Sequence, residues 1–95
     1  MIVRIVKMTF KEKEVEQFLK LFAENKAKIR DFPGCSHLEL LRDKKEGNIF
    51  FTYSYWDNDS SLERYRNSEL FRNVWGKTSL LFSHKPEAWS TEKTA

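Results

Sequence analysis

The chain has 95 residues, of which 40% are hydrophobic, 15% aromatic and 33% charged. This length allows one domain with one core, and this composition excludes a largely disordered chain. The 17 basic and 14 acidic residues give a net charge of +3 but are interspersed along the chain. An acidic partner is therefore permitted but not indicated, and we predict a single domain over residues 1–95 with no nucleic-acid partner.

The cysteine content and the apolar runs exclude two further classes of protein. Cys35 is the only cysteine, which excludes an intramolecular disulfide, and no apolar run approaches the roughly 20 residues of a membrane span. The first ten residues alternate like a strand, carry interior charges and lack a cleavage site of small residues, unlike a signal peptide. These observations predict a cytoplasmic protein without a membrane partner.

The N-terminal third of the chain predicts a strand followed by a helix. β-branched residues alternate from Ile2 to Met8, which is typical of a strand. The alternating sets are Ile2, Arg4, Val6 and Met8 on one face and Val3, Ile5 and Lys7 on the other. Thr9 and Glu12 have the spacing of a capping box, and an apolar stripe at helical spacing follows. Phe32-Pro33-Gly34 is predicted to end this helix.

The middle of the chain predicts two antiparallel strands, residues 36–42 and 49–56, joined by a charged turn. In the second of them, Ile49, Phe51, Tyr53 and Tyr55 alternate with Phe50, Thr52, Ser54 and Trp56. Both sets contain large apolar or aromatic side chains. This strand therefore has no face that is clearly exposed to solvent.

The remaining third predicts a second helix and a fourth strand. Ser60 and Glu63 repeat the capping-box spacing, a break is expected near residues 67–68, and Gly76 is predicted to end the helix. Residues 79–85 are predicted to form the last strand, before a proline that suits only an edge or an end. The polar tail from about residue 90 is expected to be flexible.

This order predicts an α+β fold of the ferredoxin-like βαββαβ type, with a four-stranded antiparallel sheet and both helices on one face. The other face of the sheet still carries apolar residues, whichever of the two alternating sets forms it. A large exposed apolar face normally marks an interface. We therefore predict a homodimer in which two sheets pack face to face.

Three short motifs, correctly spaced, carry a family resemblance: Phe32-Pro33-Gly34-Cys35, Tyr55-Trp56-Asp57 followed by Leu62, and Ser68-Glu69-Leu70-Phe71. With them, the chain resembles the antibiotic biosynthesis monooxygenase family of dimeric α+β barrel proteins, from Ile2 to about Pro86. The resemblance implies a homodimer whose sheets form a barrel, with substrate bound between each subunit's own sheet and helices. It implies oxygenation of polycyclic phenols without metal or flavin, quinol oxidation or, in one branch, haem degradation.

The haem-degrading branch can be compared residue by residue. It uses an asparagine on the first strand, a tryptophan in the second helix and a histidine ten residues later as the iron ligand. These positions fall near Lys7, at Tyr65 and at Trp75, and none of them matches. The chain also lacks the converging His, Cys and carboxylate spacing of a metal site. We therefore predict no cofactor and no metal.

The candidate substrate-binding residues are Tyr65, Phe71, Trp75 and Trp56. A ring-binding pocket suits aromatic side chains that also carry a polar atom, although the same residues could belong to an ordinary core. His37 and His84 are the default general bases because histidine is the residue type best suited to proton transfer near neutral pH, and His37 and Tyr65 are the catalytic candidates. Cys35 is interpreted as part of the turn rather than as a nucleophile.

The predicted function is that of a cofactor-independent monooxygenase that acts on a small phenol- or quinol-like aromatic molecule. One alternative is a non-catalytic dimer that binds such a molecule as a sensor or carrier, because fold does not settle function. Another is an RNA-recognition module, which shares the βαββαβ order. That alternative is disfavoured because Glu46 and Asn48 stand where a basic residue and the first aromatic are needed.

Overall fold

The computed structural model describes residues 1–95, which form one mixed α+β unit. In chain order its elements are β1 (Ile2–Thr9), a 3-10 turn (Glu12–Glu14), α1 (Val15–Arg30), β2 (Cys35–Arg42), β3 (Ile49–Trp56), α2 (Asp59–Arg66), α3 (Glu69–Ser79) and β4 (Glu87–Thr91). The predicted ferredoxin-like order is confirmed, with the second helix divided into α2 and α3. No helix is both long enough and apolar enough to cross a membrane.

The sheet has the strand order β2-β3-β1-β4, and every neighbouring pair is antiparallel. β1 and β3 are therefore central. In the register, Ile5 lies opposite Tyr53 on one side and Trp89 on the other. Since side chains alternate along each strand, this register fixes which residues share a face.

The hydrophobic core lies between the sheet and α1. Phe10, Phe18 and Phe50 are almost completely buried, and the ring centroids of Phe10 and Phe18 are 4.1 Å apart. Such a cluster of rings supplies a large buried apolar area for a short chain. α1 contributes the predicted stripe, including Phe22 and Ile29. The helix is thereby fixed on one face of the sheet.

Two predicted capping boxes are wrong. Thr9 is still part of β1, where it lies opposite Ile49, and α1 has no side-chain N-cap. At α2 the cap is Asn58, whose Oδ1 accepts from the backbone N–H of Ser61 at 2.9 Å. The predicted break between the two helical pieces is confirmed, since Ser68 Oγ caps α3 by accepting from the Phe71 N–H at 3.1 Å.

The predicted position of the fourth strand is also wrong. Residues 80–86 connect α3 to β4, and Pro86 directly precedes that edge strand. Phe82 is apolar because its ring packs 5.3 Å from that of Phe10, not because it lies in a strand. β4 extends into the predicted flexible tail: Thr91 lies opposite Val3, and its Oγ1 donates to the Val3 carbonyl at 2.7 Å.

Gly76 lies inside α3, so the predicted helix end at this position is wrong. Its φ is not positive, and a Cβ placed on it would meet nothing within 4 Å. Gly76→Ala is therefore expected to raise the free energy of unfolding by about 0.5–1 kcal/mol, because alanine loses less backbone entropy in a helix. Urea unfolding followed by circular dichroism measures this difference. A less stable variant would contradict it.

Candidate functional site

A cavity of about 300 Å³ lies between the helix-facing side of the sheet and the three helices. It is lined by 19 residues from all four strands and all three helices, and 13 of them are hydrophobic. The volume is at the lower end of the range of roughly 300–1,000 Å³ for small-molecule sites. This geometry suits a compact apolar ligand.

The four predicted substrate-binding residues all line this cavity. They form one continuous aromatic wall, because Tyr65 stacks on Trp56 with ring centroids 4.9 Å apart and meets Phe71 edge-on at 5.2 Å. Phe71 in turn stacks on Trp75 at 5.7 Å with only 11° between the ring planes. The end of β3 together with α2 and α3 thus places the four rings in one continuous wall of the cavity, against which a flat ligand could pack. Their role in binding stays a prediction.

Tyr65 combines burial with an unused hydroxyl. Its carbonyl accepts from Ser68 Oγ at 2.6 Å, but its phenol oxygen has no protein partner and is not sealed from solvent. Burial, with a smaller effect from the nearby Cys35, raises the pKa of Tyr65 well above its usual value. The phenol therefore stays neutral at physiological pH, a form that can donate a hydrogen bond to a ligand.

The two tryptophans of the wall differ in their polar atoms. Trp56 is 1% exposed, and its Nε1–H donates to Ser54 Oγ at 3.0 Å. This nitrogen needs no ligand, so Trp56 contributes a fixed apolar surface. Trp75 is half-buried, and its Nε1–H has no partner in the protein. A ligand could accept a hydrogen bond from Trp75 but not from Trp56.

Two arginines that were not predicted as site residues also line the cavity. They are Arg4 on β1 and Arg66 on α2. Burial lowers the pKa of Arg4, the nearby Arg66 lowers it further, and Glu63 opposes both effects. Arg66 forms an exposed salt bridge with Glu63 at 3.4 Å. One signal for Arg4 was available in the sequence, since it is the only charged residue in the otherwise apolar set that it shares with Val6 and Met8.

The histidines lie away from this cavity. His37 is on the opposite face of the sheet, with its ring 4.9 Å from that of Tyr55 and its Nε2 3.5 Å from Glu39 Oε2. His84 is in the exposed connection before β4, where its Nδ1 is 2.8 Å from Ser83 Oγ. The structure therefore separates the two catalytic candidates, because Tyr65 lines the cavity and His37 does not.

Cys35 lies at the start of β2, next to the glycine turn. Its thiol is a weak donor to the His37 carbonyl, with a sulfur–oxygen distance of 3.5 Å. Burial raises the pKa of this thiol, which lowers the thiolate fraction and with it the nucleophilicity. This environment favours the structural interpretation of the residue.

No group of three His, Cys, Asp or Glu side chains is close enough together to hold a metal ion. Trp75, the residue at the position that the resemblance assigns to a haem ligand, lines the cavity with an indole. An indole N–H is a donor only and does not ligate iron. The absence of a cofactor stays a prediction.

The face of the sheet opposite the helices, here called the open face, carries a second group of apolar residues. By register its members include Val3, Ile5, Ile49, Phe51, Tyr53, Tyr55 and Trp89. Trp89 and Leu41, also on this face, are each 45% exposed. A hydrogen bond with Tyr55 raises the pKa of Tyr53. By the same register Lys7, Glu39 and Glu87 also lie on the open face, so charged side chains accompany its apolar and aromatic residues.

Comparison with known proteins supports the fold described above. A family model described as antibiotic biosynthesis monooxygenase matches residues 1–75, whereas no curated protein matches the sequence significantly. A crystal structure of an antibiotic biosynthesis monooxygenase is similar with a TM-score of 0.93 and 19% identity, over 100% of both chains. A conserved protein from Methanosarcina mazei Go1 is similar with a TM-score of 0.91 and 19% identity, over 99% of this chain and 94% of that one.

A protein from Pseudomonas aeruginosa has a TM-score of 0.87 and 21% identity, over 99% of this chain and 94% of its own. At such identities the solved structures establish the fold alone. The family model is the stronger observation, because it covers most of the sequence, including all three motifs, the whole of α2 and most of α3. It favours the monooxygenase prediction over the RNA-recognition alternative. The chain belongs to the antibiotic biosynthesis monooxygenase family.

Proposed function

We propose that the protein is a cofactor-independent monooxygenase that oxidises a small phenol- or quinol-like molecule in the cavity between its sheet and helices. The observation that carries this proposal is the aromatic wall of the cavity, with the unpartnered Tyr65 hydroxyl within it. Apolar surfaces with a few placed polar groups are what a ring with one oxygen substituent requires.

The proposed reaction requires few functional groups from the protein. When a phenol becomes a quinone, the ring takes one atom of O₂, and the second leaves as water with the two hydrogens that the phenol loses. The substrate thus supplies all four electrons. Tyr65 would orient a ring oxygen by donating to it, and the stacked pair Phe71 and Trp75 would hold the ring plane. The mostly hydrophobic lining would exclude water from the reacting carbon.

Tyr65→Phe tests the role of the hydroxyl. The variant should bind and turn over a responsive quinol or polyphenol about five-fold less well, since one hydrogen bond contributes about 1 kcal/mol. Its free energy of unfolding should change by no more than about 1 kcal/mol, because the hydroxyl has no protein partner to lose. Oxygen uptake, product absorbance and quenching of tryptophan fluorescence measure turnover and binding.

Tyr55→Phe is the matched control, since it removes the same hydroxyl from the open face instead of from the cavity. It should leave ligand binding unchanged. If Tyr65→Phe also binds and reacts normally, Tyr65 has no polar role. If its ring is in addition remote from the ligand in the structure of a complex, the proposed site is wrong.

The non-catalytic binding protein is the second candidate, because the lining contains no histidine and no carboxylate. A carrier needs the same apolar cavity but no group that accepts a proton. Tight binding of an aromatic ligand without oxygen uptake, across a panel of quinols and polyphenols, would favour the carrier.

We also propose that the protein acts as a homodimer through the open face. Its exposed Trp89 and Leu41, together with the neighbouring rings of Tyr53 and Tyr55, support a contact between two sheets. The cavity lies on the other side of each sheet, so each subunit would keep its own site. Light scattering that showed a stable monomer at micromolar concentration would contradict this proposal.

A further inference from the structure

The charges that line the cavity all have the same sign. Arg4 and Arg66 are the only charged residues in the lining, and no carboxylate is among them. Most of the surface around them is hydrophobic. A positive charge beside a largely apolar surface is costly unless it meets a negative group or water.

The two guanidinium groups retain unused donors. Arg4 Nη1 donates to Ser90 Oγ at 2.9 Å, and Arg4 forms no salt bridge. Since a guanidinium has five N–H donors, most of those on Arg4 are available to another partner. The guanidinium of Arg66 has Glu63 as its only polar partner, at 3.4 Å and with both side chains about half exposed, and solvent weakens such a pairing.

Each arginine is also an unfavourable neighbour for the other. Burial and the proximity of Arg66 both lower the pKa of Arg4, although an arginine keeps its charge at any physiological pH. An anion bound near both groups would remove this repulsion and accept charge-assisted hydrogen bonds from them. Because the two arginines line the same cavity as the aromatic wall, the pair would suit an anion attached to a ring.

We propose that the ligand binds as an anion, with a negatively charged oxygen on its ring, either a carboxylate or a phenolate, held by Arg4 and Arg66. This inference rests on the proposed ring-binding function and deepens it. It also accounts for a cavity without a base: an already ionised phenol needs no protein acceptor for its proton, and a phenolate is the electron-rich form that reacts with oxygen.

A matched pair of ring compounds tests the charge. Naphthoate and naphthamide have the same ring system and nearly the same shape, but only naphthoate is charged at neutral pH. The protein should bind naphthoate at least about ten-fold more tightly, as expected for hydrogen bonds to a charged group. Calorimetry measures both affinities, and the preference should weaken as salt is added, because the site is partly exposed.

Arg4→Gln and Arg66→Gln should each remove most of this preference. Arg66 is exposed enough that its loss should not affect folding, so the test does not depend on the stability of Arg4→Gln. Arg72→Gln is the control, because it removes the same charge from an exposed position of α3 that is outside the lining. It should bind both compounds as the unaltered protein does.

Naphthol distinguishes the two sources of the anion, because its absorption changes when it ionises. A lowered pKa of bound naphthol, lost in the arginine variants, would identify a phenolate site, whereas naphthoate preference without this shift would identify a carboxylate site. Equal binding of naphthoate and naphthamide that remains sensitive to Tyr65→Phe would overturn the anion inference and leave the ring site standing. Binding of neither compound would overturn both the anion inference and the ring site. A preference for naphthoate that survives both arginine substitutions would overturn the assignment of Arg4 and Arg66.

Discussion

Gly34→Ala is expected to lower the free energy of unfolding by about 2–5 kcal/mol. Gly34 has a φ of 94°, a region in which a residue with a Cβ is less stable by about 1–2 kcal/mol. A Cβ at this position would also collide with Cβ and Oγ of Ser61 in the first turn of α2. Because Ser61 is 3% exposed, it has little room to move, and overpacking of this kind costs about 1–3 kcal/mol.

Urea unfolding measures this loss, and a double variant separates its two causes. In Gly34→Ala with Ser61→Gly, the collision is removed and the strained φ remains, so the two substitutions should be strongly non-additive. Gly76→Ala is the same chemical change in open space and should act in the opposite direction. Wild-type stability in Gly34→Ala would show that the turn and α2 can separate at little cost.

Ile5→Glu is expected to dissociate the proposed dimer while leaving the subunit folded. Ile5 is on the central strand β1, between Tyr53 and Trp89 on the open face. A two-fold interface would contain the new carboxylate twice, and a buried charge without a partner costs several kcal/mol. Sedimentation velocity or light scattering should therefore report a monomer at concentrations at which the unaltered protein is dimeric.

Leu80→Glu is the matched control for this substitution. Leu80 is 75% exposed and directly follows α3, away from the open face, so its replacement should not change the mass in solution. Far-ultraviolet circular dichroism should show the same helix content for both variants. A dimer that persists in Ile5→Glu would place the interface elsewhere, and loss of helix would mean that the substitution had unfolded the subunit instead.

The parts of the fold that sequence predicts well are those with a strong local signal. β3 is found with its predicted bounds, residues 49–56, because its aromatic and β-branched residues favour a strand wherever it lies. The break before α3 was also predictable, since Ser68 is a good N-cap. The aromatic wall could be anticipated in part, because Phe71 and Trp75 are four residues apart on one helix and so share a face.

The errors arose where distant contacts decide the structure. Leu81 and Phe82 have the composition of a strand. They lie instead in the connection after α3, where both side chains pack against the hydrophobic core and the Leu81 carbonyl accepts from the Lys11 N–H at 3.0 Å. β4 is short and exposed throughout, so its pairing with β1 leaves little trace in its own sequence. The proximity of Arg4 and Arg66 likewise depends on where α2 packs against the sheet, which no local pattern encodes.

The sheet is a single layer, so consecutive residues of β1 and β3 belong to different surfaces. On β1, Arg4 and Val6 line the cavity, whereas the residues that alternate with them, Val3 and Ile5, lie on the open face. The same stretch of backbone therefore encodes two surfaces at alternate positions. In an evolving lineage, changes at one set of positions could alter the proposed ligand site while the proposed interface is inherited unchanged, and changes at the other set could do the reverse.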